Sequence, residues 1–328
     1  MPVGFPTKVN YATGDVLSAT NMNDLSGTVN LLESAQYAAG KNAIINGDFG
    51  IWQRGTSFTA TGYTADRWLL SRNNTATVSQ QTFTAGTAPV AGYEGQFFLR
   101  YSRTTGASSD YLIQKIEDVR TSAGQTITFS YWAKASSAVT LGATYFEQNF
   151  GSGGSATVAT VNSSTSLTTS WQRFTVTVAL PSIAGKTIGT NSFLAINYEF
   201  GSAMGASITV DIWGVQIEDS SVASPFQTST GTKQGELAAC QRYYEIGTTG
   251  YVGDARLSGI KYGAWSQFSV TKRTAPTMTV TSTAASGFNG TAVASDIYTN
   301  GFITAQNSSG VAGGTVFFFN SFTASSEL

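Results

Sequence analysis

The chain has 328 residues, of which 41% are hydrophobic, 12% aromatic and only 11% charged, with a net charge of −1. That length holds two or three ordinary domains, and the polar surface falls mainly to uncharged Ser, Thr, Asn and Gln. No Lys/Arg block offers a phosphate-binding surface, no apolar run reaches the ~20 residues that cross a bilayer, and the single Cys240 rules out an intrachain disulfide.

Histidine is absent. This removes Ser-His-Asp and Cys-His nucleophile systems and histidine-ligated metal sites, leaving acid–base work to carboxylates, tyrosines and lysines. The start, Met1-Pro2-Val3-Gly4-Phe5-Pro6, lacks the charged and apolar regions of a signal peptide. The expected protein is made in a cytoplasm and is not an enzyme.

In chain order, residues 1–40 predict a short helix beginning at Ser18, a suitable N-cap. Met22, Leu25, Val29 and Leu32 recur at steps of three and four, which makes one apolar stripe. The segment contains Gly27 and is short, so the stripe is read as an oligomerisation or docking face.

Residues 41–230 read as successive strands separated by Gly, Ser, Asn and Thr clusters. The clearest is Gln125 to Lys134, where Ile127, Phe129, Tyr131 and Ala133 share one face and Thr126, Thr128, Ser130 and Trp132 the other. Further runs lie at Trp68–Leu70, Val78–Phe83, Phe97–Tyr101, Tyr111–Ile116, Val139–Phe146, Trp171–Ala179, Phe193–Tyr198 and Ile208–Ile217. Many short strands without helical periods predict an antiparallel jelly-roll β-sandwich. Residues 231–328 predict a smaller β-rich domain opened by a helical turn near Glu236, with aromatics among Gly, Ser and Asn.

Several motifs carry a family resemblance. Phe5-Pro6-Thr7-Lys8 with Leu17 to Asn23 is similar to the N-terminal segments of bacteriophage tail fibres and minor tail proteins. Ile44-Ile45-Asn46-Gly47-Asp48-Phe49-Gly50-Ile51-Trp52-Gln53-Arg54-Gly55 and Tyr63 to Trp68 resemble the opening of their carbohydrate-binding-like jelly-roll modules. Val215 to Glu218, Ala223 to Phe226 and Cys240 to Tyr244 resemble the module's exit. The resemblance covers the chain to about residue 245. It implies a homotrimeric virion tail fibre that docks on other tail proteins and meets a host-surface glycan or receptor. It also implies a structural calcium, for which Asp48 and Asp211 are the candidate ligands; Gly50, where relatives carry an acidic residue, counts against it.

Candidate ligand-stacking aromatics are Trp132 and Tyr145 in the sandwich and Tyr251, Tyr262, Trp265 and Tyr298 beyond it. Apolar sugar faces stack on such rings, and loops on a rigid scaffold carry recognition. Trp52 and Trp68 read as core. The alternatives are a purely architectural tail protein and a carboxylate-based glycan depolymerase. Against the latter, Glu117-Asp118 and Glu218-Asp219 are neighbours that point to opposite strand faces, unlike a glycosidase pair.

Overall fold

The computed structural model describes residues 40–328 apart from 91–92, 107, 163, 255–257 and 310–314. The apolar stripe of Met22, Leu25, Val29 and Leu32 therefore lies outside the described residues.

Fourteen strands make the first unit: β1 (Ser57–Phe58), β2 (Gly62–Tyr63), β3 (Leu69–Ser71), β4 (Thr75–Thr82), β5 (Phe97–Thr105), β6 (Asp110–Glu117), β7 (Thr126–Ala135), β8 (Val139–Thr140), β9 (Thr144–Asn149), β10 (Val158–Asn162), β11 (Ser166–Leu167), β12 (Gln172–Ala179), β13 (Phe193–Phe200) and β14 (Ile208–Glu218). One sheet runs β1-β4-β5-β14-β7-β12 and the other β10-β9-β13-β6-β3-β2, with β8 and β11 paired apart from both. All the pairings are antiparallel. Within these sheets β5-β14-β7-β12 faces β6-β13-β9-β10, so the chain alternates between layers as a jelly roll does. The run expected at Val139–Phe146 is split into β8 and β9, and β10 had no clear sequence signal.

The core lies between the layers. Ile127, Phe129, Tyr131 and Ala133 of β7 meet Leu112, Phe146, Leu194, Ile196 and Tyr198 from the opposite sheet. On β14 the alternation places Val210 and Ile212 inward and then, after a bulge between Trp213 and Gln216, Val215 and Ile217. Gly214 makes the reset with φ +64°, a conformation disfavoured for residues with a Cβ. The second face of β7 was expected to be wetter. Instead Thr128, Ser130 and Trp132 are buried, because β7 is an interior strand: Phe83, Phe98, Trp213 and Phe226 pack around Trp132, while Ser220 and Arg173 bond Thr128 and Ser130.

A helix α1 (Lys233–Gln241) follows, longer than the single turn expected. Thr232 caps it by accepting the Gly235 amide. Among the described residues six strands follow: β15 (Tyr244–Asp254), β16 (Lys261–Gln267), β17 (Thr277–Ser286), β18 (Phe288–Ser295), β19 (Gly301–Ser308) and β20 (Thr315–Ser325). They form two antiparallel sheets, β15-β20-β17 and β16-β19-β18, over a small core of Phe268, Phe302, Phe322 and Ala324.

The end of the chain ties this second unit to the first. Glu327 pairs with Arg67 and, at 2.9 Å, with Arg54. Lys115 Nζ and the Tyr63 hydroxyl donate to the Leu328 carbonyl at 2.7 and 3.0 Å. Arg67 and Arg54 also stack on Tyr243 and Tyr244, each 3.5 Å from the ring centroid. Asp66 and Arg67, adjacent in sequence, thus anchor different partners: Asp66 takes Arg54 and Gln53. No helix among the described residues is long and apolar enough to cross a membrane.

Candidate functional site

The outer face of the sheet β10-β9-β13-β6-β3-β2 carries a shallow groove of about 410 Å³ lined by Tyr111, Ile113, Tyr145, Glu147 and Asn197. Strand register builds it. Because directly opposed residues share a face, Tyr145 of β9, Asn197 of β13 and Ile113 of β6 form one row across three strands. Glu147 lies one step along β9 and Tyr111 one step along β6, while the alternating Phe146, Leu112 and Ile196 fill the core beneath.

The Tyr111 and Tyr145 rings stand 6.3 Å apart at 63°. They form an angled pair of apolar walls, both half-buried. Burial, with the nearby Glu199 carboxylate, pushes the Tyr111 phenol up, so it stays protonated and able to donate. The Asn197 amide and the Glu147 carboxylate make no side-chain hydrogen bond or ion pair among the described residues. Two rings that can stack, with an amide and a carboxylate beside them on the same face, suit a small polyhydroxylated ligand.

Of the aromatics singled out in the sequence, Tyr145 is in this groove. Trp132 is not. It is 8% exposed, packed 5.6 Å from Trp213 with the Arg173 guanidinium 4.6 Å over its ring, so it supports the roof of the sheet and offers no stacking face. Tyr251 and Tyr262 face inward between the two C-terminal sheets. They are half-buried and pack 5.7 Å from each other and against Phe318 and Phe288, so their rings are taken up by neighbouring aromatics. Trp265 and Tyr298 are brought together on its surface, 6.2 Å apart. Tyr111, Ile113, Glu147 and Asn197 were missed. Tyr111 and Glu147 had the alternation that marks an outward face, but which strands lie side by side is a property of the folded sheet.

The two carboxylates weighed for calcium are engaged separately. Asp211 accepts from Arg100 Nε and Nη2 at 2.6 and 2.8 Å, with Lys134 Nζ at 3.7 Å. Asp48 lies in a different cleft, of about 390 Å³, where it accepts from the Gly50 amide and the Tyr93 hydroxyl, both at 3.2 Å. Burial raises its pKa. Across that cleft Glu236 is also raised by burial, and its oxygens are held by the Asn46 and Thr230 amides at 2.8 and 2.7 Å. Among the described residues no cluster of three metal-ligating side chains is placed to hold an ion. The two candidate calcium ligands thus have separate partners, and Arg100 and Lys134 supply the positive charge beside Asp211.

No family model and no curated protein sequence matches the chain. Among solved structures, the enzymatically active domain of tailspike protein 4 from bacteriophage CBA120 is similar at 17% identity over 54% of this chain and 21% of that one, with a TM-score of 0.35. The N-terminal cellulose-binding domain of Cellulomonas fimi β-1,4-glucanase C is similar at 17% identity over 52% of this chain and 97% of its own, TM-score 0.34. The C-terminal family 22 carbohydrate-binding module of Clostridium thermocellum Xyn10B follows at 16% identity, 57% and 99% coverage, TM-score 0.37. The assignment as a β-sandwich rests on the strand wiring above.

Proposed function

We propose that the protein is a non-enzymatic glycan-recognition protein, and that it serves as a virion tail fibre which meets a host-surface polysaccharide. The observation that carries the binding reading is the Tyr111–Tyr145 groove, with the Asn197 amide in the Tyr145 row and the Glu147 carboxylate on the far side of Tyr145, neither engaged by another side chain among the described residues. Sugar C–H faces would lie against the rings, while the Asn197 amide would donate to and accept from hydroxyls and the Glu147 carboxylate would accept from them. The groove lies on strands and not on loops, so its rings are fixed before the ligand arrives and little ordering cost falls on binding.

The fibre reading is supported by the N-terminal motifs and by the low charge and abundant Ser, Thr and Asn. In it, the N-terminal segment docks on the tail and joins three copies, and weak glycan contacts multiply across them. The test is retention on immobilised polysaccharides. The parent protein is expected to be retarded and Tyr145→Ala to lose about tenfold in affinity. Retention that survives Tyr145→Ala and Tyr111→Ala together would remove the groove as the site. Binding to no glycan, with tight binding to another tail protein, would favour the architectural role.

A further inference from the structure

The surface of the C-terminal unit carries a second aromatic pair, unlike the first in construction. Trp265 on β16 is 51% exposed and Tyr298, in the turn before β19, is 56% exposed, the two rings lying 6.2 Å apart at 42°. Exposed single aromatics are ordinary, but this pair is held in place. A Cβ on Gly301 would come within 2.5 Å of Trp265 Cζ2, so the indole lies against the bare backbone of β19. One face of the ring is seated there and the other is open to solvent. The Tyr298 amide bonds the Gly301 carbonyl at 2.9 Å, which fixes the turn beside the same glycine. Seven ladder pairs between β16 and β19 hold the strands beneath.

The rim points to the ligand class. By register, Ile303 and then Ser295 continue the Trp265 row across the sheet, and Gln267 stands beside Gly301. Flat apolar rings bordered by neutral amide and hydroxyl groups complement a neutral pyranose, whose C–H face is apolar and whose edge is a ring of hydroxyls. A charged ligand would find no opposite charge in this row. We infer that Trp265 and Tyr298 form a second saccharide platform, for one or two neutral pyranose units, distinct from the sandwich groove. This inference takes its ligand class from the glycan reading above. Two such sites on one chain would bind a polymer with an effective-concentration gain that a short oligosaccharide cannot obtain.

The experiment uses the full chain and a panel of immobilised neutral polysaccharides (a glucan, a xylan and a galactomannan) with their soluble hexasaccharides as competitors. Trp265→Ala and Tyr145→Ala are each expected to weaken retention about tenfold, and the double variant more than either. Gly301→Ala, which displaces the indole without removing it, is expected to lose part of the same affinity. Tyr298→Ala, at an exposed position, gives the same reading if Trp265→Ala folds poorly. Parent-like retention of Trp265→Ala, Tyr298→Ala and Gly301→Ala, with loss in Tyr145→Ala, overturns the platform and leaves the groove standing. Loss in the Trp265 and Tyr298 variants with none in Tyr145→Ala supports the platform and overturns the groove. Failure of the parent to bind any member of the panel overturns both.

Discussion

Replacing Trp132 separates a structural role from a binding role at a residue that the sequence offered as one candidate for stacking on a ligand. The side chain is 8% exposed and packs among Trp213 and Phe226, with Arg173 stacked above. Truncating a buried Trp to Ala removes apolar burial and leaves a cavity, together about 3–5 kcal/mol. The site cannot collapse easily: a Cβ on neighbouring Gly214 would sit 2.8 Å from the Trp132 ring, so removing the ring leaves only backbone there. Arg173 also loses a desolvated ring partner, about 1 kcal/mol more. Trp132→Ala should therefore lose about 4–6 kcal/mol against a domain stability on the order of 5–15 kcal/mol. In urea followed by far-UV circular dichroism, at a slope of about 2.5 kcal/mol per molar, that is a midpoint shift of about 1.5–2.5 M. Saccharide retention by the folded fraction should be unchanged. A loss under about 1 kcal/mol accompanied by abolished binding would refute the assignment of Trp132 to the roof.

Tyr145→Ala should show the reverse pattern: binding falls about tenfold, while the urea midpoint changes by less than the equivalent of about 1 kcal/mol, since the ring sits on the outer face. Glu327→Gln removes the charge that neutralises the buried Arg67, and should cost about 3 kcal/mol and split the calorimetric melt into separate transitions for the two units; a single unshifted transition would count against the latch. Burial, opposed by Gln53 and Arg54, raises the Asp66 carboxyl from near 4 to about 6. The folded state then holds that proton more tightly than the unfolded chain, so this stability is fully present below about pH 4 and is lost as pH rises through about 6. Burial moves Asp48 and Glu236 in the same direction. Asp66→Asn should accordingly remove up to about 3 kcal/mol of the loss between pH 4 and 7, measured by urea unfolding at each pH; parallel profiles for parent and variant would reject it.

The strand carrying Ile127, Phe129, Tyr131 and Ala133 was legible because alternation is a local property, and each of these residues does face the core. The opposite face of the same strand was misjudged for a non-local reason. Thr128, Ser130 and Trp132 look half-wet in sequence, and only distant residues bury them: Phe83, Phe98, Trp213 and Phe226 around Trp132, Ser220 and Arg173 at Thr128 and Ser130. The groove was half legible on the same grounds. Tyr145 is an aromatic on an outward position, but its partnership with Tyr111 and Asn197 depends on β13 lying between β9 and β6. Asp211 looked like a metal ligand, whereas its charge is met by Arg100, its direct partner across β5, and by Lys134 across β7. Trp265 and Tyr298 were found as turn-region aromatics, and their pairing follows from a single glycine, Gly301, whose role no periodicity announces.

The joint between Glu327 and Arg67 has a consequence for how the chain is born. A guanidinium that is 1% exposed in the finished protein waits for a carboxylate 260 residues further along. While the chain emerges from the ribosome, the sandwich can be complete in sequence as far as β14 and still lack the partners for Arg67, for Arg54 and for the Lys115 ammonium. Until residue 327 arrives, those cations are best left in water, and burying them early is penalised. The seam around Arg67, Arg54 and Lys115 therefore closes late, only once residues 327 and 328 have been made, and the order of synthesis sets the order in which these cations can be buried.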